Sequence, residues 1–316
     1  MYRSHFGLSR HPFAKDIPAD ELFVAQAQKE LEVRFGHLIN LRGIGLFTGD
    51  SGSGKTTVGR KVVASLHSGL HRVFYVPNST GNVMDLYKSI AWEMGLPTER
   101  SRAALYRAIR TEVTRLDVEA HLQPLLVIDE AHHLRSDVLE ELRLLTNYDM
   151  DSQNRLCLVF VGHSELRRRV GMAVHEALNQ RIIVRHHLGG LLRDELPLYL
   201  THLLRRAGTE LPLFEPAALE AIYQASAGLP RKVNSFAHHA LNAAAIAHAK
   251  AVTAEHVQAA APGSADGHLR PLAHQAWHRC HGRQRRRLRC SIRPDGGAYG
   301  QGRLGASRSY PDPSRT

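Results

Sequence analysis

A glycine-rich stretch at residues 49–57 constrains the fold of this chain more than any other feature. It follows a short apolar run, Ile44 to Phe47, and it has the spacing G-x-x-x-x-G-K-[ST]. Glycines at these positions let a tight loop turn its backbone N–H groups towards phosphate oxygens. We therefore expect the whole stretch to contact a bound nucleotide: Gly49, Asp50, Ser51, Gly52, Ser53, Gly54, Lys55, Thr56 and Thr57.

Two residues of this stretch have more specific expected roles. Lys55 can reach the β- and γ-phosphates, and the Thr56 hydroxyl can bind Mg²⁺. A helix that begins at Lys55 would also direct the positive end of its dipole at the phosphates. A chance turn rich in Gly and Ser would not explain the apolar strand before the loop or the helical pattern after it.

A second motif lies about 75 residues downstream. The apolar run from Pro124 to Ile128 ends at Asp129 and Glu130, as in a buried parallel strand that delivers carboxylates to the ligand edge of a sheet. We expect Asp129 to hold Mg²⁺, directly or through water, and Glu130 to polarise the water that attacks the γ-phosphate. A core strand that ends at two exposed acids is the alternative, which the presence of both motifs disfavours. ATP and Mg²⁺ are the expected ligands.

Apolar runs alternate with helical patterns through the first part of the chain. This alternation predicts an α/β fold, with a parallel five-stranded sheet and helices on both faces. The predicted strands are Ile44–Phe47, Val73–Val76, Pro124–Ile128, Leu156–Val161 and Ile182–Val184.

After Leu191 the pattern predicts helices alone, and hence a small all-helical lid domain. The predicted domains are residues 1–190, 191–262 and 263–316. The Pro-containing start, Tyr2 to Phe23, is expected to be either a strap against the nucleotide base or a surface extension.

The net charge of +11 is concentrated in the last segment. Residues 263–316 contain eleven Arg and three Asp, a net charge of +8, which leaves +3 for residues 1–262. The body is therefore only mildly basic, and composition alone does not establish DNA binding. We expect the tail to be disordered and dispensable; a nucleic-acid-binding arm and a non-native extension are the alternatives.

Other composition signals narrow the class of protein. No apolar run approaches the ~20 residues of a membrane span, so we expect no membrane insertion and a cytoplasmic location. Three Cys provide no disulfide framework, and Cys157 is expected to be a buried thiol. We expect no zinc site, because adjacent pairs such as His132-His133 cannot share a ligand face as residues four apart on a helix do.

With these motifs in place, the chain resembles the AAA+ ATPases, and among them the ExeA-type ATPases, over about residues 1–260. The residues that carry the resemblance are Phe6-Gly7-Leu8 with Pro12-Phe13, the stretch 49–57, Val127 to His132, Glu141 to Asn147, Val161 to Leu166, Leu178 to Ile182 and Gly228 to Asn234.

The resemblance implies further site residues. Arg181 matches the arginine finger, which reaches the γ-phosphate of a neighbouring subunit, and so implies a homo-oligomer, a ring or filament. Arg231 matches the second sensor, a lid arginine that contacts the nucleotide. His163 stands where the family usually has a polar first sensor, often Gln, and Asn147 is the alternative polar contact.

Two biological roles share this ATPase pattern. ExeA-type proteins assist assembly of a type II secretion channel and carry a membrane segment and a peptidoglycan-binding region, neither of which we find in this sequence. Shorter relatives resemble the ATP-dependent helper proteins of transposons, similar in role to the Mu- and IstB-type regulators. The residues Lys15 to Pro18 and Glu21 to Phe23 resemble this second branch. We therefore expect a protein that assembles on double-stranded DNA and assists or targets a transposase, with a secretion-machinery partner as the alternative.

A helicase role is disfavoured. Residues 129–132 spell the DEAH box of a helicase family, but the sequence has no Gln-x-x-Gly-Arg-x-x-Arg motif and no second RecA-like domain.

Overall fold

The computed structural model describes residues 2–14, 17–77, 80–98 and 100–259. The predicted tail at 263–316 and the residues Lys15 and Asp16 lie outside this range. Among the residues described, no helix combines the length and the apolar character that a membrane crossing requires.

Five parallel strands form one sheet in the order β2-β3-β4-β1-β5. Their bounds are β1 Ile44–Gly49, β2 His71–Val76, β3 Gln123–Ile128, β4 Cys157–Gly162 and β5 Ile182–Leu188. At one edge Ile44 pairs with Leu158 and Ile182, and at the other Gly49 pairs with Leu188. We call these the amino edge, where the strands begin, and the carboxyl edge, where they end.

The three central strands, β1, β3 and β4, are buried along their whole length because both faces of the sheet are covered there, and this explains why they are apolar without alternation. The edge strands β2 and β5 are partly exposed and include polar residues. Leu126 and Ile128 of β3 pack into one hydrophobic cluster, whereas Leu125 and Val127 pack into another on the opposite face. Cys157 lies in the second cluster, where burial raises the pKa of its thiol to about 12. The predicted fold class is confirmed.

Eight helices accompany the strands within the described residues up to 188. Helices α2 and α3 contribute to the cluster that contains Leu125, and α4 to α8 to the cluster that contains Leu126. The bounds are α1 Tyr2–His5, α2 Gln26–Leu41, α3 Lys55–Ser65, α4 Val83–Glu93, α5 Arg102–Thr114, α6 Ser136–Leu145, α7 Ser164–Val170 and α8 Glu176–Arg181.

The remaining helices have a hydrophobic core of their own. They are α9 Glu195–Arg206, α10 Pro216–Ser226, α11 Pro230–Ile246 and α12 Ala254–Ala259. Tyr2, Phe6 and Leu8 are buried in the same cluster, and the Tyr2 hydroxyl lies 3.1 Å from His238 Nδ1. Residues 2–8 are therefore not a surface extension. The division at residue 190 stays a prediction.

The chain crosses itself where the helical region begins. The Leu191 N–H donates to the Gly228 carbonyl at 2.8 Å. A Cβ on Gly190 would lie 2.7 Å from the Ala227 carbonyl oxygen, so the backbones are close enough to favour glycine here. The segment 192–227 thus leaves and returns at one point, and α11 begins two residues later.

Candidate functional site

The glycine-rich loop connects the end of β1 to the start of α3 at the carboxyl edge. Gly52 and Gly54 have φ values of 84° and 98°, in the region that a Cβ penalises. The Lys55 ammonium donates to the carbonyls of Gly49 at 2.8 Å and Asp50 at 3.0 Å. Burial lowers the pKa of Lys55, an effect that the nearby carboxylates of Glu130 and Asp129 oppose. The loop therefore wraps around one cationic group.

Two further residues of the loop bear on phosphate binding. Ser53 is buried, and its hydroxyl has no hydrogen-bond partner among the described residues. Thr57 lies half-buried in the first turn of α3. An orphaned donor inside a loop with glycines at positive φ fits a polyanionic ligand such as a nucleotide phosphate.

Asp129 is the buried carboxylate of the site. Its Oδ2 accepts hydrogen bonds from the Thr56 hydroxyl at 3.1 Å and from the Tyr75 hydroxyl at 2.7 Å, and its Oδ1 accepts one from the Glu130 N–H at 2.8 Å. Hydroxyl and carboxylate oxygens are the ligands that Mg²⁺ prefers. Thr56 and Asp129 therefore fit the predicted Mg²⁺ ligands, and the structure brings them into direct contact.

The sequence did not indicate Tyr75. The residue lies near the end of β2, opposite Val127 of β3, and this pairing brings its hydroxyl to Asp129. Burial and the hydrogen bond to Asp129 raise the pKa of Tyr75, so the phenol stays a donor. A hydroxyl in the otherwise apolar run Val73–Val76 was the available signal.

Glu130 is the second residue after the end of β3 and has a φ of 50°. Its side chain is about half exposed, and its Oε2 lies 3.3 Å from Nδ1 of His132. Burial, followed by the charge of His133, lowers the pKa of His132. The carboxylate predicted to activate water therefore pairs with His132, for which the sequence predicted no role, and it lies near enough to Lys55 to oppose the lowering of the pKa of that lysine by burial.

The expectation about His132 and His133 is corrected. It rested on a contrast with residues four apart on a helix, but Ala131–His133 is a single 3₁₀ turn in which the two rings lie 4.0 Å apart. One ligand atom from each of Glu130, His132 and His133 lies within 4.8 Å of the others. Adjacent histidines can thus face a common point here.

His163 follows β4 at the same edge, as expected of a first sensor. Its Nε2 lies 3.9 Å from Oδ1 of Asp50, which also accepts a hydrogen bond from the Ser164 hydroxyl at 3.1 Å. The end of β4 and the glycine-rich loop are therefore in contact through polar side chains.

Arg231 reaches the loop from the start of α11. Its backbone N–H donates to the Gly52 carbonyl at 3.2 Å, and its guanidinium donates to the Ser51 hydroxyl at 3.3 Å. A Cβ on Gly52 would lie 2.6 Å from the Cβ of Arg231. The helical region thus places this arginine directly against the loop, where a second sensor is expected.

Arg181 lies elsewhere, at the amino edge before β5. Its guanidinium donates to the Arg143 carbonyl and the Thr146 hydroxyl, both at 3.3 Å, and burial lowers its pKa. It lines a cavity of about 230 Å³ together with Ile44 and Thr146. Five residue steps along β1, roughly 16 Å, separate this edge from the glycine-rich loop.

Asn147 is also at the amino edge, which corrects its expected role. Its carbonyl accepts a hydrogen bond from Arg110 at 2.5 Å, and it adjoins Thr146 at the cavity. Helix α6 starts near the carboxyl edge, and its ten residues carry the chain about 15 Å back across the sheet. Asn147 therefore does not contact a nucleotide in the loop of its own subunit.

Comparisons with known proteins agree with this geometry. A family model described as an AAA domain matches residues 39–170. The chain belongs to the AAA+ family. The relatives described next confirm the predicted resemblance of this AAA+ protein to the ExeA-like and transposition-helper ATPases.

Two relatives and one solved structure illustrate the match. General secretion pathway protein A of Aeromonas hydrophila is 33% identical over 247 residues, 77% of this chain and 45% of that protein. ATP-dependent target DNA activator B of Escherichia phage Mu is 29% identical over 160 residues, 49% of this chain and 46% of that protein. This AAA+ chain therefore spans less than half the length of either relative.

The solved structure is that of Drosophila ORC bound to DNA. The superposition covers 84% of this chain and 65% of the ORC chain, with a TM-score of 0.59 and 18% sequence identity. At this identity the likeness concerns the fold alone.

Proposed function

We propose that this AAA+ protein binds ATP with Mg²⁺ and hydrolyses it at a site completed by a second copy of the chain. One observation carries the proposal. The glycine-rich loop, Asp129, Glu130 and Arg231 meet at the carboxyl edge, whereas Arg181 lies at the amino edge of the same sheet. Phosphoryl transfer in P-loop ATPases gains from an arginine that stabilises the transition-state charge, and a neighbouring subunit can supply it.

Each residue at the carboxyl edge has a role in this proposal. Lys55 and the loop N–H groups bind the phosphates, and Thr56 and Asp129 hold Mg²⁺, which neutralises phosphate charge when bound. Glu130 accepts the proton of the attacking water. His163 senses the γ-phosphate, and Arg231 links the state of the nucleotide to the helical region.

We further propose that ATP binding orders a ring or filament of subunits on double-stranded DNA, which assists or targets a transposase. Support comes from the phage Mu relative, whose name describes an ATP-dependent activator of target DNA. The sequence around residues 15–23 favours the same branch. Hydrolysis at Glu130 would then dismantle the assembly, and the protein would act in the cytoplasm.

A second candidate function is assistance in assembling a type II secretion system. The relative from Aeromonas hydrophila favours it, since its identity is higher and extends over a longer stretch than that of the phage Mu protein. In this alternative the same ATP-driven assembly acts on a protein of the secretion machinery instead of DNA.

DNA binding by the full chain distinguishes the two. Labelled duplex DNA is titrated with the protein in ATP, in ADP and without nucleotide, at several salt concentrations. We expect tight binding in ATP that weakens steeply as salt rises. The Lys55→Ala variant retains the basic tail and so controls for it. If Lys55→Ala binds duplex DNA as tightly as the wild type, or if the wild type does not bind it at low salt, the DNA proposal is contradicted and the secretion role is favoured.

A further inference from the structure

Glu130, His132 and His133 form a compact group of metal-ligand side chains that the proposed ATPase reaction does not require as a set. The left-handed conformation of Glu130 turns the chain sharply after β3, and the 3₁₀ turn Ala131–His133 follows at once. This local structure brings one ligand atom of each residue within 4.8 Å of the other two. Sequence neighbours are thus gathered on one side of the turn.

The distances approach those of a coordination site. Ligand atoms about 2.0–2.1 Å from a tetrahedral zinc ion lie about 3.4 Å from one another. Glu130 Oε2 and His132 Nδ1 are already 3.3 Å apart. The exposed side chains of Glu130 and His133 need only rotate to close the remaining separations. A metal ion on His132 Nδ1 would break the hydrogen bond that this atom accepts from the His163 N–H. At 3.4 Å that hydrogen bond is long, so its loss costs little.

The backbone that presents these side chains is held in place. Arg169 of α7 donates to the carbonyls of His132 and Leu134, both at 2.6 Å, and the His133 N–H donates to the Glu130 carbonyl at 3.0 Å. Ala131 and Leu134 are buried at either side of the two histidines. A turn fixed at both ends keeps the ligands together without a bound ion, which lowers the cost of binding one.

We infer that Glu130, His132 and His133 form a binding site for a divalent transition-metal ion of the zinc class. Two imidazoles and one carboxylate suit Zn²⁺, Co²⁺ and Ni²⁺, whereas Mg²⁺ prefers oxygen ligands alone. Three protein ligands leave a fourth position open to water or a phosphate oxygen. The ligands differ from Thr56 and Asp129, so the two ions do not compete for the same side chains.

The site has a consequence for hydrolysis, which rests on the proposed function. A metal ion that binds the Glu130 carboxylate occupies one of its oxygens and lowers its basicity, so Glu130 accepts a proton from water less readily. Zinc bound here is therefore an inhibitor of turnover that leaves nucleotide binding in place. The inhibition depends on the histidines and persists when Mg²⁺ is in excess.

Cobalt absorption tests the site directly. The full chain, with Mg²⁺ in excess, is titrated with Co²⁺, and visible absorption reports tetrahedral binding. We expect His133→Gln to weaken this binding by more than about tenfold, a loss seen even for outer-shell partners. The matched control is His239→Gln, which removes an exposed histidine from the adjacent pair His238-His239, whose rings lie 5.3 Å apart. Equal cobalt binding by the wild type and His133→Gln would overturn the inference.

Zinc inhibition of ATP hydrolysis provides the second measurement. Each variant is compared with its own rate after transition metals are removed, so that differences in basal activity cancel. We expect His133→Gln to require more than about tenfold more Zn²⁺ for half-inhibition than His239→Gln. Equal sensitivity would show that Zn²⁺ inhibits elsewhere and would overturn the inhibitory role. Cobalt binding without any measurable hydrolysis would contradict the proposed ATPase function and leave the metal site supported.

Discussion

The two edges of the sheet carry different kinds of polar groups. At the carboxyl edge, side chains from separate segments contact one another, as when Thr56 bonds to Asp129 and Arg231 bonds to Ser51. At the amino edge, Arg181 is held by groups at the end of α6. In the proposed function, the first edge binds the nucleotide, and the second supplies a further arginine to the site of a neighbouring subunit. Variants at each edge should therefore fail in different ways.

Replacing Lys55 should have the largest effect, because it acts on both binding and turnover. Lys55→Ala removes the charge-assisted contacts to the phosphates, so ATP affinity should fall by about 100-fold or more and hydrolysis should disappear. Titration with a fluorescent ATP analogue and phosphate release measure the two effects. Lys61→Ala is the control, since Lys61 lies on the same helix but pairs with Glu32 at 2.8 Å. Wild-type affinity in Lys55→Ala would place the nucleotide elsewhere.

Arg181→Ala tests the amino edge. We expect turnover to fall by about 10³-fold or more, because the transition-state charge loses its arginine, while nucleotide affinity of the isolated subunit stays unchanged. Steady-state hydrolysis measures the turnover, and nucleotide titration measures the affinity. Arg185→Ala removes an exposed arginine from β5, the strand that follows Arg181, and should have little effect.

Mixing the two variants sharpens the comparison of the edges. In a mixed assembly, a subunit with Arg181→Ala provides an intact loop, and its Lys55→Ala neighbour provides an intact arginine. Hydrolysis should therefore reappear when the two inactive proteins are combined. If hydrolysis does not recover in mixtures shown to co-assemble, Arg181 does not act on the site of a neighbouring subunit.

Glu130→Gln should lower turnover by about 10²-fold or more, because the amide cannot accept the proton of the attacking water. Nucleotide binding should remain, since Glu130 is not expected to contact the phosphates. Single-turnover hydrolysis measures the chemical step. Glu165→Gln is the control, as Glu165 pairs with Arg168 on the surface of α7. Equal rates for both variants would exclude Glu130 as the base.

Tyr75→Phe should have the smallest of these effects. Loss of the hydroxyl that orients Asp129 should raise the Mg²⁺ concentration for half-maximal hydrolysis by about tenfold. A Mg²⁺ titration of ATP hydrolysis measures it, with Tyr223→Phe, a residue packed on the helical core, as the control. An unchanged requirement for Mg²⁺ would show that Asp129 is oriented without Tyr75.

The sequence predicted the elements better than their contacts. Apolar runs located all five strands, and the glycine and lysine spacing located the start of α3. The contact of Tyr75 with Asp129 joins residues 54 positions apart, and it depends on β2 lying beside β3. Local pattern does not specify strand order, so this contact could not be predicted from it.

Two errors have different physical origins. Asn147 was misplaced because the length of α6 was not used, although ten residues of helix are enough to cross the sheet. The prediction for His132 and His133 was wrong because it took residues four apart on a helix as the pattern for a shared ligand face, whereas a 3₁₀ turn brings these adjacent rings together. The first could have been avoided from the sequence. The second depends on the left-handed conformation of Glu130, and a glutamate at that position does not indicate such a conformation.

The crossing of the chain at Leu191 and Gly228 also bears on how this protein can change over evolutionary time. Because residues 192–227 leave and return at one point, α9 and α10 are a module with its two ends side by side. Insertions are tolerated where chain ends lie close together and the loops between elements are exposed. Lengthening the exposed residues 210–212 between α9 and α10 would therefore leave Arg231 at its distance from Gly52, so this part of the protein can diversify while the nucleotide site stays the same.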